Sequence, residues 1–196
     1  MHRRLSVALL LLCLPATPAR ADWLITPFLA TSFAPKTSFL VFDEEQGRKL
    51  TFGGSVVLIG GGILGIEGDV GHTPGFFEGN DPLGLVLSSR VTTFSGNLLV
   101  AAPLALTRES LRPYLVAGFG LMQARSKNAA DLFPVDRNLL SGTLGAGAIG
   151  LLSERTGVRF DIRHMRSVGG ATNPFDRPGV ARLSFWRASA GVVFRY

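Results

Sequence analysis

The chain has 196 residues, of which 46% are hydrophobic and only 17% charged, against about 25% charged in ordinary globular domains. That balance excludes a disordered chain, which needs few apolar residues and much charge. A formal charge of +6 and a pI near 10.4 would suit a nucleic-acid binder, so the positions of the charges have to decide.

Residues Met1 to Ala21 carry a basic start, a short apolar run and a small-x-small ending. This is the pattern of a secretory signal peptide, with cleavage expected after Ala21. The apolar run is too short to span a bilayer, which takes ~20 residues. Leu12 before Cys13 is not small, which argues against lipidation. Cleavage removes Cys13, Arg3, Arg4 and Arg20, so the remainder has no cysteine and its balance falls from +6 to +3. No disulfide can then brace the exported chain.

Downstream, the hydrophobic pattern has period two and predicts eight strands and no helix. In chain order they are Trp23 to Phe33, Lys49 to Ile59, Gly62 to Pro74, Leu87 to Ala102, Leu111 to Ala124, Leu139 to Leu151, Gly157 to Val168 and Arg182 to Tyr196. Most exceed the ~9–11 residues that cross a membrane as a tilted strand. Long and short connections alternate, as in an up-and-down barrel with loops at one mouth and turns at the other. Gly60 and Gly61 are expected to make the tightest turn through positive φ. No stretch is apolar enough for a membrane helix.

The strand faces divide cleanly. Val158, Phe160, Ile162 and His164 alternate with Arg159, Asp161 and Arg163. Trp186, Ala188, Ala190, Val192, Phe194 and Tyr196 alternate with Arg187, Ser189, Gly191 and Arg195, Val193 being the apolar exception. Leu64, Ile66 and Val70 oppose Glu67 and Asp69. A soluble barrel would turn the apolar face inward; a membrane barrel inverts it. Two features favour inversion. Glu67, Asp69 and Asp161 nearly balance Arg159, Arg163, Arg187 and Arg195, so the set can pair within a lumen. Trp23 and Tyr196 fall at one end of the apolar face, as an aromatic girdle requires, and Tyr114 lies at the same level.

The chain ends S-A-G-V-V-F-R-Y. Ser189, Gly191, Phe194 and Tyr196 match the C-terminal assembly signal of bacterial outer-membrane proteins, which the stretch resembles. The resemblance implies recognition by the barrel-assembly machinery. From Asp22 to Tyr196 the chain resembles the small eight-stranded outer-membrane β-barrels of the OmpA/OmpX-like class and the outer membrane protein beta-barrel domain family. The stretches at Gly60 to Phe77 and Gly157 to Ser167 carry that likeness. It implies an all-β, eight-stranded antiparallel up-and-down barrel in the cell outer membrane, and it says little about activity.

Eight strands leave an interior just wide enough for side chains to fill. Four arginines and three carboxylates pointing inward therefore predict a plugged lumen. The first functional expectation is a structural or interaction barrel acting through its outer connections, Ala34 to Arg48, Gly75 to Val86, Arg125 to Asn138 and Gly169 to Ala181. Lys49, Arg90, Arg125, Lys127, Arg137, Arg166 and Arg182 gather near that mouth, where they could meet lipopolysaccharide phosphates or merely snorkel. The alternative is a narrow channel or transporter for small molecules, which the inward charges oppose. A lipid A-modifying enzyme would need a serine two residues after its histidine; Ser167 follows His164 by three, which puts it on the other face. No metal cluster, nucleotide motif or other cofactor signature is present. The basic residues split between lumen and rim, so nucleic acid is not expected as a partner. A monomer is expected.

Overall fold

The structure is a computed structural model that describes residues 21–37, 48–76, 86–107, 111–128, 135–168 and 183–196. Strands β1 (Asp22–Thr37), β2 (Lys49–Ile59), β3 (Leu64–Pro74), β4 (Val86–Ala101), β5 (Arg112–Asn128), β6 (Val135–Leu151), β7 (Thr156–Ser167) and β8 (Leu183–Arg195) pair in chain order into one closed antiparallel barrel. All eight expected strands are present. β5 and β6 run further than the sequence pattern implied, which shortens the connection read at Arg125 to Asn138. The four expected outer connections fall wholly or partly outside the described residues, as do the expected signal residues before Ala21 and Arg182.

Two local expectations need correction. One helical turn, α1 (Leu104–Thr107), interrupts the β4–β5 connection where no helix was expected. The β2–β3 turn spans residues 60–63, and neither Gly60 nor Gly61 adopts positive φ; the positive-φ glycine is Gly75, at 61°. A four-residue turn closes without a left-handed residue. Its carbonyls Gly60 O and Gly62 O are held from outside, by Arg112.

The register fixes the strand tilt. Direct partners lead from Trp23 through Leu58, Ile66, Leu98, Ala117, Leu144, His164 and Trp186 back to β1 at Phe33. That displacement along β1 is the stagger a closed barrel needs, and it obliges the strands to lean against the axis. One circuit climbs from the short-turn mouth to near the other.

Alternation then sorts the side chains. Outward stand Leu29, Leu115, Phe119, Leu144 and Phe160, each more than half exposed; Phe119 reaches 68%. A continuous wall of such residues is untenable in water and suited to hydrocarbon. No helix among the described residues is long and apolar enough to cross a membrane; the strands carry the apolar surface instead.

Inside, the lumen is layered. Near the short-turn mouth Leu24, Val57, Ile59, Leu99, Val116, Ile149 and Val193 form an apolar plug. Near the far mouth Phe76, Val91, Met122, Met165, Leu183 and Phe185 form a second, with Phe76 and Phe185 edge-on at 5.1 Å between ring centroids. Val193 therefore belongs to the lower plug and is no exception to the pattern. The charges lie between the two plugs.

Candidate functional site: a buried ionic layer and a basic rim

The layer is built from three strands. β3 supplies Glu67 and Asp69, β7 supplies Arg159, Asp161 and Arg163, and β8 supplies Arg187. All six side chains are nearly inaccessible to solvent. In an eight-stranded ring β3 and β7 face each other across the lumen, so long arginines can reach the opposite carboxylates. Arg163 is the hub. Its Nη2 lies 3.0 Å from Glu67 Oε1 and 2.9 Å from Asp161 Oδ2, and its Nη1 lies 3.6 Å from Asp69 Oδ2. Arg159 reaches the same Glu67 oxygen at 3.0 Å and donates from Nη1 to Ser55 Oγ at 3.0 Å. Arg187 Nη2 donates to both oxygens of Asp69 at 2.9 Å.

Neutral groups complete the layer. Tyr114 donates its hydroxyl to Asp161 Oδ2 at 3.0 Å and accepts from Arg159 Nε at 2.7 Å. Ser189 donates to Asp161 Oδ1 at 2.8 Å, and Asn97 Nδ2 donates to Glu67 Oε2 at 3.4 Å. The guanidinium of Arg187 also lies over the Phe28 ring, 4.8 Å from its centroid. Glycines on β3 and β6 leave room for this packing. A β-carbon on Gly71 would fall 2.6 Å from Arg187 Nη1, and one on Gly147 would collide with the Tyr114 hydroxyl.

Of the seven residues expected in the cluster, the structure brings six together and leaves Arg195 out. Arg195 has the right facing but the wrong depth. It stands at the short-turn rim, with Nη2 2.7 Å from Asp22 Oδ2, both partly exposed. Three cations therefore meet three anions in the lumen. Tyr114, whose face the sequence left open, is 3% exposed and points inward. Trp23 and Tyr196 do face outward at the rim, as does Phe194. Ser189 and Gly191 face inward on β8, Gly191 so close to β1 that a β-carbon would meet Pro27 O at 2.5 Å.

Arg112 had no place in the sequence reading. It is the buried cation of the short-turn mouth, and its partners are all backbone carbonyls. Nε donates to Ala102 O at 2.8 Å, Nη1 to Gly60 O at 2.9 Å and Nη2 to Gly62 O. One side chain thus ties the β2–β3 turn to the β4–β5 connection. The adjacent Pro113 leaves Ala102 O without its strand partner's N–H, and Arg112 substitutes for it.

At the far rim the expected basic residues divide. Arg90 on β4 and Arg125 on β5 are direct cross-strand partners on the outward face, and Arg166 stands exposed on β7. Lys49 shares the strand face of buried Thr51, so it turns toward the lumen and away from surrounding lipid. Lys127 is in register with Ser88, and Arg137 with Ala124. His164 faces outward against Trp186, 5.0 Å between ring centroids, while Ser167 is buried inside and accepts from Leu183 N–H at 3.0 Å. The two side chains therefore stand on opposite faces of the barrel wall. Among the described residues no group of three or more His, Cys, Asp or Glu side chains could hold a metal ion.

Solved structures share this architecture. The N-terminal β-barrel domain of Pseudomonas aeruginosa OprF superposes with a TM-score of 0.57 at 15% identity, covering 91% of this chain and 99% of that one. Neisserial surface protein A gives a TM-score of 0.63 at 11% identity, covering 89% and 97%. This chain has the fold of the small eight-stranded outer-membrane barrels. Ail, the attachment invasion locus protein of Yersinia pestis, solved with the heparin analogue sucrose octasulfate, matches at a TM-score of 0.52 and 16% identity over 90% of this chain and 99% of that one. No family model and no curated relative matches this barrel's sequence. The likeness is carried by backbone geometry and facing pattern, with few shared residues.

Proposed function

We propose that the protein is an integral outer-membrane barrel with a closed lumen, and that it works through its outer rim and loops as a structural or interaction protein without catalysing a reaction. The observation that carries the closed lumen is the stack of two apolar plugs around a neutral, mutually paired ionic layer. An open aqueous path would hydrate these guanidiniums and carboxylates; here each is nearly inaccessible and neutralised by its neighbours. The purified protein in planar bilayers is expected to show no large, stable conductance steps. Steps persisting through long recordings would overturn the closed reading in favour of a small-molecule channel.

For the rim, the supporting geometry is the side-by-side placement of Arg90 and Arg125. Together with Arg166 they put several guanidinium groups on the outward face at this rim, with Asp136 in register on the other side of Arg125. Arg90 and Arg125 both stand just beyond the apolar wall, at the level of lipid headgroups. The phosphates of lipopolysaccharide fit that position, and planar guanidinium groups suit them. Ail, of the same fold, was solved with a polysulfated sugar. Reversing Arg90, Arg125 and Arg166 to glutamate together is expected to lower lipopolysaccharide co-purified per barrel severalfold while the heat-sensitive gel mobility of the folded barrel is kept. Unchanged recovery would remove lipopolysaccharide from the proposal. The assembly machinery is the expected partner during biogenesis, through Ser189, Gly191, Phe194 and Tyr196.

A further inference from the structure

β1 and β8 close the barrel, and their pairing begins normally. Trp23 N–H donates to Tyr196 C=O at 3.1 Å, and Tyr196 N–H donates back to Trp23 C=O at 2.9 Å. In an antiparallel ladder such doubly bonded pairs recur at every second residue. Ile25 with Phe194 is the next. The one after it falls on Pro27, opposite Val192 in the same register, and proline has no N–H to donate. The run of direct partners accordingly stops after Ile25–Phe194 and resumes at Phe28–Gly191.

The gap lies inside the apolar wall, where water cannot stand in for a missing donor. Elsewhere the chain repairs such a loss: Arg112 Nε serves the carbonyl that Pro113 leaves bare. Among the described residues no side chain does this for Val192. The same seam has a second irregularity, a bulge between Phe33 and Lys36 with Ala34 at a φ of 48°. By contrast, β5 and β6 pair without interruption from Arg112–Ile149 to Ser126–Val135.

We infer that the β1–β8 seam is the line along which this barrel opens, with its weak point where Pro27 faces Val192. The edge it frees is that of β8, the strand that carries the C-terminal signal. An edge that parts within the membrane can pass between β1 and the edge of another sheet, the kind of partner that strand addition requires.

Amide hydrogen exchange of the folded protein in phosphatidylcholine bilayers tests this. Amides of Ala190 and Val192, which face β1 in this ladder, are expected to exchange about tenfold faster than those of Leu115 to Phe119, since local opening sets the rate. Pro27→Val, which restores the N–H on an outward side chain, is expected to abolish most of that difference and raise the unfolding temperature. Thr31→Val, on the same face of the same seam but already bearing an N–H, is expected to do neither. Equal protection of β8 and β5 in the unaltered protein overturns the inference, as does a Pro27→Val protein that exchanges no more slowly than Thr31→Val. If Pro27→Val fails to fold, the β8-to-β5 comparison decides alone.

Discussion

Replacing Arg163 with methionine is expected to lower the free energy of unfolding by about 3–5 kcal/mol, the range for removing one partner from a buried ionic group. Arg163 lies within 4 Å of all three lumen carboxylates. Methionine fills much of the space but leaves three anions facing two cations. Arg159 and Arg187 cannot spread to cover them, because each is already committed, Arg187 to Asp69 and Arg159 to Glu67 and Tyr114. Urea unfolding in lipid vesicles, followed by gel mobility, measures the loss. Adding Glu67→Gln restores the balance of charge, so the double variant should be more stable than Arg163→Met alone. A single substitution costing under about 1 kcal/mol would mean the layer is wet, since exposed ion pairs are worth about that.

Arg112→Met is expected to cost about 2 kcal/mol, since it leaves three turn carbonyls without their charged donor. The effect should be local as well as global. Amides of Gly61 to Leu64 should lose protection while those around the ionic layer keep theirs. Arg112→Lys should recover only part of the loss, because one ammonium cannot reproduce a planar fork aimed at three acceptors. Full recovery by lysine would show that charge, and not the fork, matters there.

The alternation in β7 and β8 made the inner charges readable, because Arg159, Asp161, Arg163 and Arg187 stand against apolar neighbours at every step. Where both faces are apolar the signal vanishes. Tyr114 sits between Pro113 and Leu115, so nothing in the local pattern said which way it turns. Arg195 failed for a different reason. Its face was legible, but its depth depends on strand tilt, which comes from closing the whole ring. Arg112 was invisible because its acceptors are backbone carbonyls of distant turns, and every residue type has one. The break at Pro27 needed the β8 partner to be known before the missing N–H had a direction.

The ionic layer also has a mechanical consequence. Glu67 and Asp69 hang from one wall, and Arg159 and Arg163 from the wall opposite. The ion pairs are therefore struts across a diameter, and Arg187 braces a second chord from the neighbouring strand. A thin-walled tube of eight strands flattens easily when squeezed from the side. Here any departure from a round cross-section stretches or crushes a charged contact, so the shape that lateral membrane pressure meets is held from within.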